Sequence, residues 1–147
     1  MQRRRISRLV VVAVAAGLGF AVASANPAAD YKVIVHPDNQ VAAVDRQFLR
    51  DAYLRKASVW RSGETIRPID LTIAFPVRGR FSQEVLKKTP AQLKCYWNQQ
   101  IFSGKGVPPP ETDSTAAVVA YVVGNPGAVG YLPIEASTGA AKVIEVK

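Results

Sequence analysis

The chain has 147 residues and a mass of 15.9 kDa, which sets one domain as the default. Hydrophobic residues make up 48% and charged residues only 20%, which excludes a disordered chain. Lys and Arg number 19 against 11 Asp and Glu, a net +8, while one Cys and one His exclude a disulfide framework and a zinc cage.

The first 25 residues read as a cleavable secretory signal. Arg3, Arg4, Arg5 and Arg8 form a basic start, Leu9 to Ala23 an uncharged apolar stretch, and Ala23-Ser24-Ala25 an A-x-A cleavage site. Fifteen helical residues rise only about 22 Å, short of a bilayer core of about 30 Å, so no membrane insertion is expected after cleavage. The remaining domain, 26–147, keeps 15 basic and 11 acidic residues, or +4. So mild a charge suits an anionic ligand without demanding nucleic acid, and export argues against a nucleic-acid partner. Cys95 is expected to be buried and inert, as lone thiols in an oxidising compartment usually are.

Lys32 to His36 is β-branched and ends at Pro37-Asp38-Asn39, the pattern of a buried strand followed by a turn. Asp45 is placed to cap a helix running to about Lys56, with Phe48, Leu49, Ala52 and Tyr53 on one face. Thr65 to Ile73 alternates Ile66, Ile69, Leu71 and Ile73 as an extended strand, in which Pro68 either weakens the ladder near its start or marks an edge strand. After Pro76, Arg78 to about Lys88 carries Phe81 and Val85 at helical spacing. Thr89-Pro90-Ala91-Gln92 is a capping box with proline at the first helical position. That helix should reach about Phe102, with Leu93, Tyr96, Trp97, Gln100 and Ile101 inward and Gly104-Lys105-Gly106 as its stop. Pro108-Pro109-Pro110 is a stiff connector. Asp113 or Ser114 caps a further helix through Val123, and strands follow at Ala128–Leu132 and Lys142–Val146. Interspersed elements of this kind predict an α/β domain, a mixed sheet with helices on its faces.

No enzyme is expected. There is no Gly-x-Ser-x-Gly elbow, no Ser-x-x-Lys and no phosphate loop; His36 suits a strand end bonded to backbone. The paired carboxylates Asp45/Asp51 and Glu111/Asp113 read as caps or dipole partners. No cofactor or metal is implied. Anion binding is the strongest chemistry on offer: free amides, the positive end of a helix dipole and two guanidiniums converge if a helix starts at Arg78-Gly79-Arg80. Gly79 would let a ligand approach the backbone, and Asn39 is a further candidate from the loop after the first strand. Tyr96 and Trp97 suit core packing, which leaves Trp60, before a Ser-Gly turn, as the aromatic expected to be partly exposed.

Five segments in order resemble the substrate-binding proteins of phosphate uptake transporters, type 2 periplasmic binding proteins. Phe48-Leu49-Arg50-Asp51-Ala52-Tyr53-Leu54-Arg55-Lys56 with Trp60-x-x-Gly63 is similar to that family's F-x-x-I-F-x-G-K…W-x-x-G. Ile66 to Asp70 is similar to its next strand and Phe81 to Leu86 to the helix after that. Tyr96-Trp97, Phe102-Ser103-Gly104-Lys105-Gly106-x-Pro108-Pro109 and Asn125-Pro126-Gly127-Ala128-Val129-Gly130-Tyr131 resemble its Y-W, F-T-G-K-G-x-P-P and N-P-G-A-I-G-Y. The resemblance covers about residues 32–147 and implies a compact member of the family. It would bind inorganic phosphate or a similar oxyanion in the periplasm and serve a membrane transporter. In the larger family a D-G-S-G-T stretch supplies phosphate ligands; here the corresponding stretch is Leu71 to Arg80, without those hydroxyls or that carboxylate. The alternative reading is therefore an exported protein-interaction module that kept the fold and lost its small ligand.

Overall fold

The computed structural model describes residues 30–147; the expected signal segment lies outside them. Five strands form a mixed sheet in the order β2-β7-β1-β6-β3. Its centre is β1 (Tyr31–Val35), antiparallel to both β6 (Ala128–Pro133) and β7 (Lys142–Val146). β2 (Ala43–Val44) lies parallel to β7, and β3 (Arg67–Pro68) parallel to β6. A second, two-stranded sheet pairs β4 (Asp70–Leu71) with β5 (Glu111–Thr112) in parallel.

Alternation along the central strands divides the core between two faces. Gly130 and its partner Ile34 turn to one face, where α4 (Thr115–Gly124) packs. A Cβ on Gly130 would stand 2.7 Å from Val118 Cγ1, so the missing side chain sets how closely α4 approaches. Tyr131 and its neighbour Tyr31 turn to the other face. There Phe81 stacks on Tyr131 with ring centroids 3.9 Å apart, and Tyr53 meets Phe81 edge-on at 4.8 Å. Tyr53 comes from α1 (Arg46–Tyr53), and Phe81 ends the α-helical part of α2 (Pro76–Phe81). This aromatic layer is the centre of the domain.

The local signals explain most boundaries. Thr89 accepts from the Gln92 N–H while the Gln92 side chain accepts from the Thr89 N–H, so α3 (Pro90–Phe102) starts at its capping box. Of the two candidates for the α4 cap, Ser114 fills the role, its hydroxyl accepting from the Ala117 N–H. Asp45 occupies the cap position of α1 in extended conformation but makes no side-chain cap bond.

Several expectations need correction. The single strand expected over 65–73 is shared between two sheets. The N–H groups of Arg67 and Ile69 bond to the β6 side, whereas those of Asp70 and Thr72 bond to Pro110 and Thr112. α1 stops at Tyr53, followed by a left-handed Arg55. α2 starts two residues early, with Pro76 in its first turn. It continues as one wider π-helical turn, Ser82–Leu86, closed by left-handed Lys87. α3 is peripheral. Only Leu93 is fully buried, Tyr96 and Trp97 are half-buried, and Ile101 and Phe102 are exposed. Cys95 lies on its outer side, exposed rather than buried. Trp60 is buried, not superficial, because its indole N–H has a carbonyl to reach, that of Gly127 at 2.9 Å.

Candidate functional site

The crossing of residues 66–72 from one sheet to the other places Asp70 at the junction. It is the one carboxylate within that apolar run, and it is 3% exposed. A charge so buried needs partners, and the fold supplies them from three elements. Arg78, in the first turn of α2, sets Nη1 2.8 Å from Asp70 Oδ2. The Tyr131 hydroxyl on β6 donates to Asp70 Oδ1, as does the Leu71 N–H at 2.9 Å. The same guanidinium donates to Ser82 Oγ at 3.1 Å and, through Nη2, to Glu111 Oε1 on β5 at 3.3 Å. Tyr53 closes the layer behind, donating to the Ile69 carbonyl at 2.9 Å.

Burial dominates the protonation of this group. Desolvation pushes the Asp70 carboxyl up to about 6 from the ordinary 3.8, against the opposing pull of Arg78, Tyr131 and the Leu71 N–H. Burial and the adjacent Asp70 charge also hold the Tyr131 and Tyr53 hydroxyls well above the usual range, so both remain donors.

Arg78 and Gly79 line a cleft of about 380 Å³ whose walls include Thr72, Lys94 and Trp97. Thr72 Oγ1 is buried without a hydrogen-bond partner. Formal charge in the cleft is balanced, with Arg78 and Lys94 facing Asp70 and Glu111. Arg80 points elsewhere. It is 56% exposed, pairs with Asp30 at 2.9 Å and borders a separate cleft beside Pro76 and Pro133. Asn39 lines neither cleft. Its Oδ1 accepts from the Val41 N–H, its carbonyl accepts from Lys142 Nζ, and its Nδ2 is buried without a partner. Of the four residues singled out in the sequence, the fold thus brings Arg78 and Gly79 together and sends Arg80 and Asn39 elsewhere.

Asp70, Ser82 and Tyr131 were not among the expected site residues, and Glu111, expected only as a cap or dipole partner, instead bonds Arg78. A signal existed for Asp70 alone: an acid within an apolar alternating run must find a cation, and Arg78 follows eight residues later. Glu111 and Tyr131 arrive from distant segments that no local pattern links. Among the described residues no three His, Cys, Asp or Glu side chains come together as a metal site, and no helix is long and apolar enough to cross a membrane.

No family model matches the sequence, and the curated proteins compared include no match. Solved structures do match in fold. A candidate phosphate ABC transporter substrate-binding protein from Clostridium perfringens, solved with bound phosphate, superposes with a TM-score of 0.63 at 19% identity. An ABC-type phosphate transport receptor from Vibrio cholerae gives 0.64 at 17%, and PstS from Borrelia burgdorferi 0.62 at 11%. Each alignment covers 80% of this chain but only 44%, 46% and 47% of those proteins respectively, so the chain spans less than half their length. The chain is a mixed-sheet α/β domain whose fold is similar to that of these solved structures over less than half of their length.

Proposed function

We propose that the chain is an exported binding protein, retained in the periplasm, which holds a small protonated oxyanion of the phosphate type in the Arg78 cleft and serves an uptake transporter. The observation that carries this is the arrangement of Arg78 between a buried and an accessible carboxylate. Glu111, its side chain 49% exposed, sits at the cleft wall 3.3 Å from Nη2. In this reading Glu111, from β5, takes the place of the carboxylate missing from the Leu71–Arg80 stretch. An anion entering this cleft meets two cations and two carboxylates. A fully ionised oxyanion is repelled by Glu111; one that carries an acid hydrogen donates it to Glu111 while its charged oxygens accept from Arg78 and Lys94. The fold likeness to proteins named for phosphate transport supports the same reading.

Isothermal titration calorimetry tests it. Phosphate should produce saturable heat and sulfate much less, and Arg78→Ala should abolish the phosphate signal. Silence with phosphate at high micromolar protein would remove the proposal.

A second reading, the interaction module, is favoured by one observation: Phe102 at the end of α3 is 91% exposed, with Ile101 and Val107 also exposed nearby in the chain. Its mark is a stoichiometric protein partner from envelope extract that survives combined Arg78→Ala and Arg80→Ala substitution, with no heat from any oxyanion.

A further inference from the structure

Arg78 does not wait for a ligand with its charge free. Asp70, itself only 3% exposed, holds Nη1 at 2.8 Å within the wall of the same cleft. Any anion in the cleft must compete with that internal counter-ion for the same guanidinium. We propose that Asp70 is the affinity-setting residue of the cleft: protonation of its carboxyl removes one of the two carboxylates that compete for Arg78, leaving only the partly exposed Glu111, and switches the cleft to a state that captures anions, and ionisation switches it back. This rests on the oxyanion reading above and adds a proton to it.

The geometry provides for both states. Asp70 Oδ1 already accepts from Tyr131 and from the Leu71 N–H, so the proton goes to Oδ2, the oxygen that faces Arg78. The guanidinium does not drift away once Oδ2 is neutral, because Ser82 Oγ and Glu111 Oε1 still hold it at 3.1 and 3.3 Å. The charged and titratable groups that face Asp70 or its cleft are Arg78 on α2, Glu111 on β5, Tyr131 on β6, Tyr53 on α1 and Lys94 on α3. Arg78 and Tyr131 favour the carboxylate, burial and Glu111 oppose it, and the balance leaves the carboxyl titrating near 6. By linkage, an anion bound at neutral pH draws a proton onto Asp70.

Phosphate affinity is measured by calorimetry at pH 5.0 and 7.5 on the purified protein and on Asp70→Asn, which cannot ionise. Phosphate titrates over the same interval, so the wild-type affinity ratio between the two pH values is divided by that of the variant. Where only the protonated form binds, the quotient reaches about 30, because the competent fraction falls from about 0.9 to about 0.03. A quotient near 1 overturns the proposal and leaves the oxyanion reading intact. Absence of phosphate heat at both pH values removes the oxyanion reading itself, and this inference with it. Should Asp70→Asn not fold, Tyr131→Phe replaces it. Loss of the donor that favours the carboxylate moves the midpoint of affinity against pH upward, and an unmoved midpoint overturns the proposal.

Discussion

The Asp70–Arg78 pair makes a stability prediction whose size follows from its protonation. Burial raises the folded-state carboxyl from 3.8 to about 6. Stability associated with the protonated form is therefore complete below about pH 4 and is lost as pH rises through 6, on the order of 3 kcal/mol in all at 1.36 kcal/mol per unit. Replacing Arg78 by Met keeps an apolar stem and removes the charge. At pH 7.5 the variant leaves Asp70 buried without its cation, a loss that reaches 3–5 kcal/mol where a buried charge has no escape. Here it has one, because Asp70 can take a proton. Holding that proton at pH 7.5, about 1.5 units above the wild-type value, costs about 2 kcal/mol, and this is the ceiling on the charge-dependent loss. At pH 5 the wild-type carboxyl is already mostly protonated, so that part vanishes and only the packing loss common to both pH values remains. Urea unfolding of wild type and Arg78→Met at the two pH values measures the difference. With a urea slope of about 1–3 kcal/mol/M, the midpoint gap should be roughly 1 M wider at pH 7.5. Adding Asp70→Asn should close the pH dependence of that gap. Equal losses at the two pH values would refute the reasoning.

Three further predictions concern packing and access. Phe81→Ala opens the aromatic layer between Tyr31, Tyr53 and Tyr131 and should cost about 3–5 kcal/mol in urea unfolding; a loss below about 1 kcal/mol would mean the layer is not the centre of the core. Gly127→Ala should lose more than about 3 kcal/mol or fail to fold. The residue has φ +77°, and a Cβ there would stand 2.1 Å from the Thr65 carbonyl oxygen; an unchanged melting temperature would contradict the turn. Cys95 should react with a thiol reagent in the native protein as fast as in urea, since it is exposed; protection in the native state would return it to the interior.

What could be read in the sequence was what is encoded over short spans. The β-branched run at β1, the capping box before α3 and the Ser114 cap each rest on residues within four positions of one another, and each stands where the pattern places it. Pro68 fits the edge position because the neighbouring Arg67 and Ile69 N–H groups supply the bonds to β6. β2 and β5, two residues each, are too short to show any period. The inward face assigned to α3 failed for a different reason. Its apolar residues repeat at helical spacing, but spacing does not say whether the neighbouring layer extends far enough to cover them, and beyond Leu93 it does not. The cleft was half legible. Arg78 stood out by charge and position, while Glu111 and Tyr131, its direct and indirect partners, lie 33 and 53 positions further along.

The arrangement of prolines around β3 bears on how the protein behaves when crowded. Pro68 lacks an N–H where one would face away from β6, and Pro108-Pro109-Pro110 lead into β5 with none to offer either. At the opposite margin, β2 runs only two residues before the chain turns into α1. A stray strand seeking a template finds few donors at one border and almost no length at the other, so lateral stacking into fibrils has poor footing at both.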